Sequence, residues 1–218
     1  IAGLTSCNKK LVGPTPIIFP NQGTQNILQY LASDANYSIL YAAILKSRPA
    51  AATTPSLGFL LGDSSPVRLM DSNRTLLTIY APNNAAFATI GVTSTAALAG
   101  FTAGKLDTLL RYHIIPGEQW PNASVPTTFP NIQLPSMLSL GPIPGTLLNF
   151  QLSVYPSRRT AFSYVNNIVL TATAKILKNG VLHTPSTVLT PQDRVLDHLM
   201  GADPTLTFFN ELHAWVDV

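Results

Sequence analysis

Leu109-Leu110-Arg111-Tyr112-His113-Ile114-Ile115-Pro116-Gly117 decides how the chain is read. Leu106, Leu109, Leu110 and His113 stand at i, i+3, i+4 and i+7, which predicts a helix over 105–112 with one apolar face. His113-Ile114-Ile115 leaves that helix as a strand. On the N-terminal side, Leu-Leu-Thr-Ile-Tyr-Ala at 76–81 is a compact β-rich run, expected as a buried strand. It stops at Pro82, and Asn83 can cap a short helix through Phe87. Residues 93–99 predict another short helix, ended by Gly100. Further out, 26–45 reads as two amphipathic pieces with Asp34 between them as an N-cap. Ile27, Leu28 and Leu31 form one apolar stripe; Ile39, Leu40, Ala43 and Ile44 form the other. The intervening 47–74, mixed in Pro, Ala, Gly and Ser, is expected to be irregular.

On the C-terminal side, residues 119–157 contain no Asp, Glu, Lys or Arg, and seven of the 18 prolines fall between Pro116 and Pro144. Proline donates nothing to a ladder, so a long loop with short edge strands at best is expected there. Strand candidates follow at 147–155, 162–165, 168–172 and 174–177. Asn179-Gly180 has the composition of a two-residue hairpin turn, with Val181-Leu182-His183 as the return strand and Val188-Leu189 closing the unit at Pro191. Helices come first and antiparallel strands last. The expected class is therefore α+β, with N-terminal helices packed on an antiparallel β-sandwich or wedge.

Composition narrows the function. The chain has 218 residues with 13 Lys+Arg against 10 Asp+Glu, and a net charge of +3 is too weak a field for nucleic-acid binding. Charged residues are 11%, well below the roughly 25% of an average soluble domain, while apolar residues at 46% can build a core. Such a neutral polar surface suits an extracytoplasmic domain better than a cytosolic enzyme. A single cysteine, Cys7, excludes an internal disulfide and any cysteine-based zinc site.

Three blocks, in order, resemble the fasciclin domain family. Tyr80-Ala81-Pro82-Asn83-Asn84-Ala85-Ala86-Phe87 looks like the family's F-A-P-T-N-x-A-F. The stretch from Leu109 to Gly117 is similar to its L-L-x-Y-H-V-I-P-G. Asn179-Gly180-Val181-Leu182-His183 with Val188-Leu189-Thr190-Pro191 looks like its closing N-G-V-I-H-x-x-x-x-V-L-x-P. Tyr80, Asn83 and Thr184-Pro185-Ser186 depart from the usual Phe, Thr and Val-Ile-Asp. The resemblance covers 26–191 and implies adhesion or binding at cell surfaces and in matrix, with no catalytic residues. It also implies an interest in Tyr112-His113, since the Tyr-His pair of some animal members has been tied to integrin contact. His113 lies on the apolar face of its helix, so a hydrogen-bonded core histidine is the reading preferred here.

The ends of the chain carry further expectations. Leu4-Thr5-Ser6-Cys7 resembles a bacterial lipobox, which makes 1–7 a signal-peptide remnant, Cys7 the lipidated residue and 8–25 a linker. Several acyl chains would hold such a lipoprotein at an outer membrane or cell surface, since one alone binds marginally. Residues 192–218 echo the pattern from Ile27 onward and read either as a helix docking on the same domain or, preferred here, as the start of a second, truncated repeat.

Ligand chemistry is sparse. His113, His183, His198 and His213 form no i, i+4 pair, Asp63, Asp71 and Glu118 stand singly, and no phosphate-loop or nucleophile-elbow motif occurs. No metal, cofactor or catalytic residue is assigned, and an enzyme is not expected. The sequons at Asn36, Asn73 and Asn122 matter only in a eukaryotic secretory pathway. Trp120, Phe129, Phe150 and Tyr155 lie among hydroxyls and amides in the charge-free span, a setting that suits sugars or a charge-depleted protein interface. Trp120, Phe129 and Tyr155 are the candidate contacts for a partner. That partner is expected to be a cell-surface or matrix protein or, alternatively, a polysaccharide held by an accessory lipoprotein.

Overall fold

The computed structural model describes residues 23–49, 51, 53–62, 76–127, 132–142, 149–159 and 162–191. Cys7, Phe129 and the repeat expected at 192–218 lie outside them.

Helix α1 (Ile27–Ser33) starts on a capping box: Asn26 Oδ1 accepts from Gln29 N (2.7 Å) and Gln29 Oε1 accepts from Asn26 N (3.0 Å). A short 3-10 turn, Ala35–Tyr37, follows, capped by Asp34, and runs into α2 (Ser38–Lys46). Asp34 therefore caps the turn, not the second helix. Helix α3 (Leu57–Leu61) falls in the stretch expected to be irregular; Ser56 caps it, and Leu57, Leu60 and Leu61 are all buried. Its five residues are held by burial, because an isolated helix that short is not stable.

Strand β1 (Leu77–Tyr80) leads into α4 (Asn84–Ala88), with Asn83 Oδ1 accepting from Ala86 N (2.9 Å) as expected of the cap. After α4 the expected short helix is a 3-10 turn at Ala96–Gly100. Helix α5 (Ala103–Tyr112) then feeds β2 (Ile114–Pro116). Next come β3 (Leu134–Pro142), β4 (Asn149–Val154), β5 (Pro156–Arg158), β6 (Ser163–Val165), β7 (Ile168–Val169), β8 (Lys175–Leu177) and β9 (Gly180–His183).

The main sheet runs β2-β1-β9-β8; β3 pairs with β4, and β5, β6 and β7 form a third sheet. Two expectations change here. The proline-rich span contains a nine-residue strand, β3, which tolerates Pro135 and Pro142 because its antiparallel ladder with β4 is broken by two register shifts. The main sheet is also not wholly antiparallel: β1 pairs in parallel with β9, Leu77 opposite Gly180 and Tyr80 opposite His183. Strands joined by so long a connection have no hairpin to dictate their direction.

Every residue of β1 and β9 is buried, so the main sheet is covered on both faces. On one face Leu77, Ile79, Ile114 and Leu182 pack under Ile27, Leu40, Leu61, Phe87 and Leu110 from the helices. On the other Tyr80 and Ile115 join Tyr112, Trp120, Leu134, Val154, Val165 and Leu189 in a second core roofed by the small sheets.

Asn179-Gly180 is not the turn itself. Leu177 pairs with Gly180, which leaves Lys178-Asn179 as the two loop residues. Asn179 Oδ1 accepts from Ile27 N (2.9 Å), and its Nδ2 donates to the Leu61 carbonyl (3.0 Å). Gly180 is required for a different reason: a Cβ there would press on the Leu77 carbonyl oxygen across the parallel pair.

Candidate binding face

Tyr112 and His113 sit where α5 ends, and both rings point into the fold. His113 is 1% exposed. Its Nδ1 donates to the Leu109 carbonyl (2.9 Å), and its Nε2 accepts from Leu189 N (3.0 Å). The two bonds fix the neutral tautomer with its proton on Nδ1. Burial removes the hydration that an imidazolium needs, so the pKa falls from 6.5 to about 4. His183 behaves alike: it stacks on Tyr80 with centroids 5.3 Å apart, donates from Nε2 to the Trp120 carbonyl (2.7 Å) and is pushed by burial to about 4. Among the described residues its Nδ1 has no partner.

Tyr112 spans from the second core to the surface. Its hydroxyl donates to the Ser153 carbonyl (3.1 Å) and accepts from Asn166 Nδ2 (2.8 Å), and burial raises its pKa. Asn166 in turn accepts at Oδ1 from Tyr155 N (2.8 Å). Asn166 and Asn167 take φ of 49° and 63°, with Val165 opposite Ile168, so they form the two-residue turn whose twist suits a hairpin. Asn adopts that left-handed backbone more readily than most residues.

Around this turn lies a concave site of about 570 Å³, with Tyr112 and Leu189 in its wall, the amides of Gln133, Gln151 and Asn167, and the rings of Phe150 and Tyr155. None of its lining residues carries a charge. Phe150 is 53% exposed and Tyr155 44%. Trp120 lies elsewhere: it is 3% exposed in the second core. Its backbone N–H donates to Thr78 Oγ1 (2.9 Å), and its indole N–H donates to the Glu118 carboxylate. A ligand reaches that ring only by opening the core, so of the two expected contacts that are described, only Tyr155 stands on the face. Gln133, Gln151, Asn166 and Asn167 were missed by sequence reasoning. The signal for the turn was present, an Asn-Asn pair between two short β-rich runs.

No group of three or more His, Cys, Asp or Glu able to hold a metal occurs among the described residues. No described helix is long and apolar enough to cross a membrane.

The sequence profile of the fasciclin domain family matches residues 61–191. The chain belongs to the fasciclin domain family. A solved FAS1 domain pair from the insect cell adhesion molecule fasciclin I is similar in fold, with a TM-score of 0.54 and 14% identity over 78% of this chain. This chain spans 52% of that structure's length. No curated protein matches the sequence. Fasciclin domains are generally noncatalytic adhesion or binding modules, typically extracellular or at the cell surface.

The motif blocks of this fasciclin chain are joints of the fold. Asn84 Oδ1 accepts from Ile39 N (3.1 Å), and its Nδ2 donates to the Ala35 carbonyl (2.9 Å), which fixes α4 to the start of α2. His113 ties the second block to Leu189 of the third, and Asn179 ties the third to α1 and α3. Thr184, a departure from the family pattern, supplies its own buried contact, Oγ1 to the Tyr37 hydroxyl at 2.7 Å.

Proposed function

We infer that this protein is a noncatalytic binding module working outside the cytoplasm, lipid-tethered through Cys7 at an outer membrane or cell surface, which meets its partner with the face around Phe150 and Tyr155. The observation that carries the reading is the concave, charge-free site flanked by two exposed aromatic rings. Exposed rings supply apolar contact area at little entropic cost, and neutral amides supply hydrogen bonds without the desolvation penalty of charges. Cell-surface or matrix protein is the primary partner class.

A second reading, polysaccharide, is favoured by the same absence of charge: a sugar offers C–H faces to a ring and hydroxyls to Gln151 and Asn167. A glycan array and a matrix-protein panel, probed with the wild type and with the Phe150→Ala/Tyr155→Ala double variant, test both. Binding to one panel that falls about tenfold or more in the variant, with the unfolding midpoint unchanged, is expected. Equal binding by the two proteins removes this face from the reading.

In the same reading the chain runs from the tether through a linker at 8–25 and a fasciclin unit at 26–191 to the first helices of a second copy at 192–218. The Leu4-Thr5-Ser6-Cys7 match supports the tether. Intact mass of the protein from its native host checks it, and an unmodified Cys7 thiol ends it. Sequencing the gene beyond Val218 tests the repeat.

A further inference from the structure

One wall of the concave site at Tyr155 is a strand edge, β4, whose backbone is only half used. In its ladder with β3, Pro135 stands opposite Ser153 and Pro142 opposite Asn149. Proline has no N–H, so in both pairs the neighbouring residues carry the ladder bonds. Phe150, Leu152 and Val154 therefore turn N–H and C=O toward β3, while Asn149, Gln151 and Ser153 turn theirs away. Two contacts agree. Ser136 Oγ on β3 donates to the Leu152 carbonyl, whereas the Ser153 carbonyl accepts from the Tyr112 hydroxyl on the groove side (3.1 Å).

At the next outward position the fold fills the edge itself. Tyr155 N donates to Asn166 Oδ1 (2.8 Å), and the Tyr155 carbonyl accepts from Asn166 N (3.0 Å). Toward the start of β4 nothing takes that place. The Gln151 N–H and C=O and the Ser153 N–H have no hydrogen-bond partner among the described residues. Gln151 is exposed and Ser153 half-buried, and both line the site between Phe150 and the Asn166-Asn167 turn.

Unpaired donors and acceptors repeating at every second residue match the backbone of another extended chain. No lining residue is charged, so an uncharged segment enters without leaving a charge unpaired. A second copy of this chain is a poor occupant, because its own β4 edge is recessed in the same concave site and two concave faces hold each other's edges apart. We propose that the partner contributes an extended, uncharged polypeptide segment that adds to β4 as a strand over Gln151 and Ser153, flanked by Phe150 and Tyr155; this rests on the reading of that face as the binding site.

For the test, a displayed library of short peptides made only of uncharged residues is selected against the full chain. The tightest peptide is then N-methylated at each residue in turn. Affinity is expected to fall about tenfold or more at every second residue and to change little between, with amide shifts of the protein within 149–155 and 166–168. On the protein, Gln151→Pro removes the outward N–H and leaves the β3 ladder intact, since an edge strand accepts proline where the N–H faces out. Gln151→Ala removes the same side chain and keeps the N–H. At equal unfolding midpoints, Gln151→Pro should bind the peptide about tenfold more weakly than Gln151→Ala. If Gln151→Pro does not fold, the N-methyl series on the wild type decides. Strand addition is overturned by a library without binders, by losses that do not alternate, or by equal affinity of the two folded Gln151 variants. Full peptide affinity in Phe150→Ala/Tyr155→Ala, or shifts on other elements, removes the face as well. Loss in that double variant with no difference between the Gln151 variants keeps the face and overturns the strand alone.

Discussion

His113 and His183 are buried without a charged partner, and each hydrogen-bonds as a neutral imidazole. In the folded chain both titrate at about 4, against 6.5 without burial. Between those values the unfolded chain binds more protons than the folded one. Their contribution is therefore complete above about pH 6.5, is lost as pH falls toward 4, and changes no further below. The loss over that interval is roughly 3 kcal/mol per histidine. Urea midpoints measured between pH 7 and pH 4 check this. His183→Gln, which can keep a donor for the Trp120 carbonyl and cannot titrate, should lower the slope by about half; an unchanged slope refutes the assignment. Asn179 holds α1 and α3 through one side-chain amide. Asn179→Ala leaves the Ile27 amide and the Leu61 carbonyl without their partner and should destabilise by about 1–3 kcal/mol in the same assay.

Between β1 and β9 the two backbones approach where Gly180 faces Leu77. Gly180→Ala must part the pair and should destabilise by about 3 kcal/mol or more. Gly100→Ala, where a Cβ meets nothing within 4 Å, should change stability by less than about 1 kcal/mol. Denaturation curves of the two variants compare them directly; equal effects would show that the approach is not tight. This pair also shows how far sequence reading reaches. The 105–112 periodicity and the Asn83 cap are local signals, and both helices stand as read. The parallel register and the role of Asn179 depend on residues more than a hundred positions away, which no local spacing encodes. Of the binding face, Tyr155 was legible as an aromatic in a charge-free span, whereas the burial of Trp120 follows from Thr78 and His183, remote in sequence. The α3 helix was hidden by its Pro- and Ala-rich surroundings, because packing rather than propensity holds it.

Taken together, the described residues form two cores sharing one sheet. Amides of Leu77–Tyr80 and Gly180–His183, buried on both faces, should exchange with solvent only through global unfolding. Those of β4, with Asn149, Phe150 and Gln151 exposed, should exchange through local opening at lower free energy. Native-state hydrogen exchange across low denaturant concentrations reads both classes, and a single common opening energy would refute the distinction. The parallel seam has a consequence for biosynthesis. The parallel partner of β1, β9, is the last of the described strands to be made, so a ribosome must extrude the chain through His183 before the central sheet can close. Until then the sheet that both cores share stays open, so neither core can pack to completion before β9 emerges.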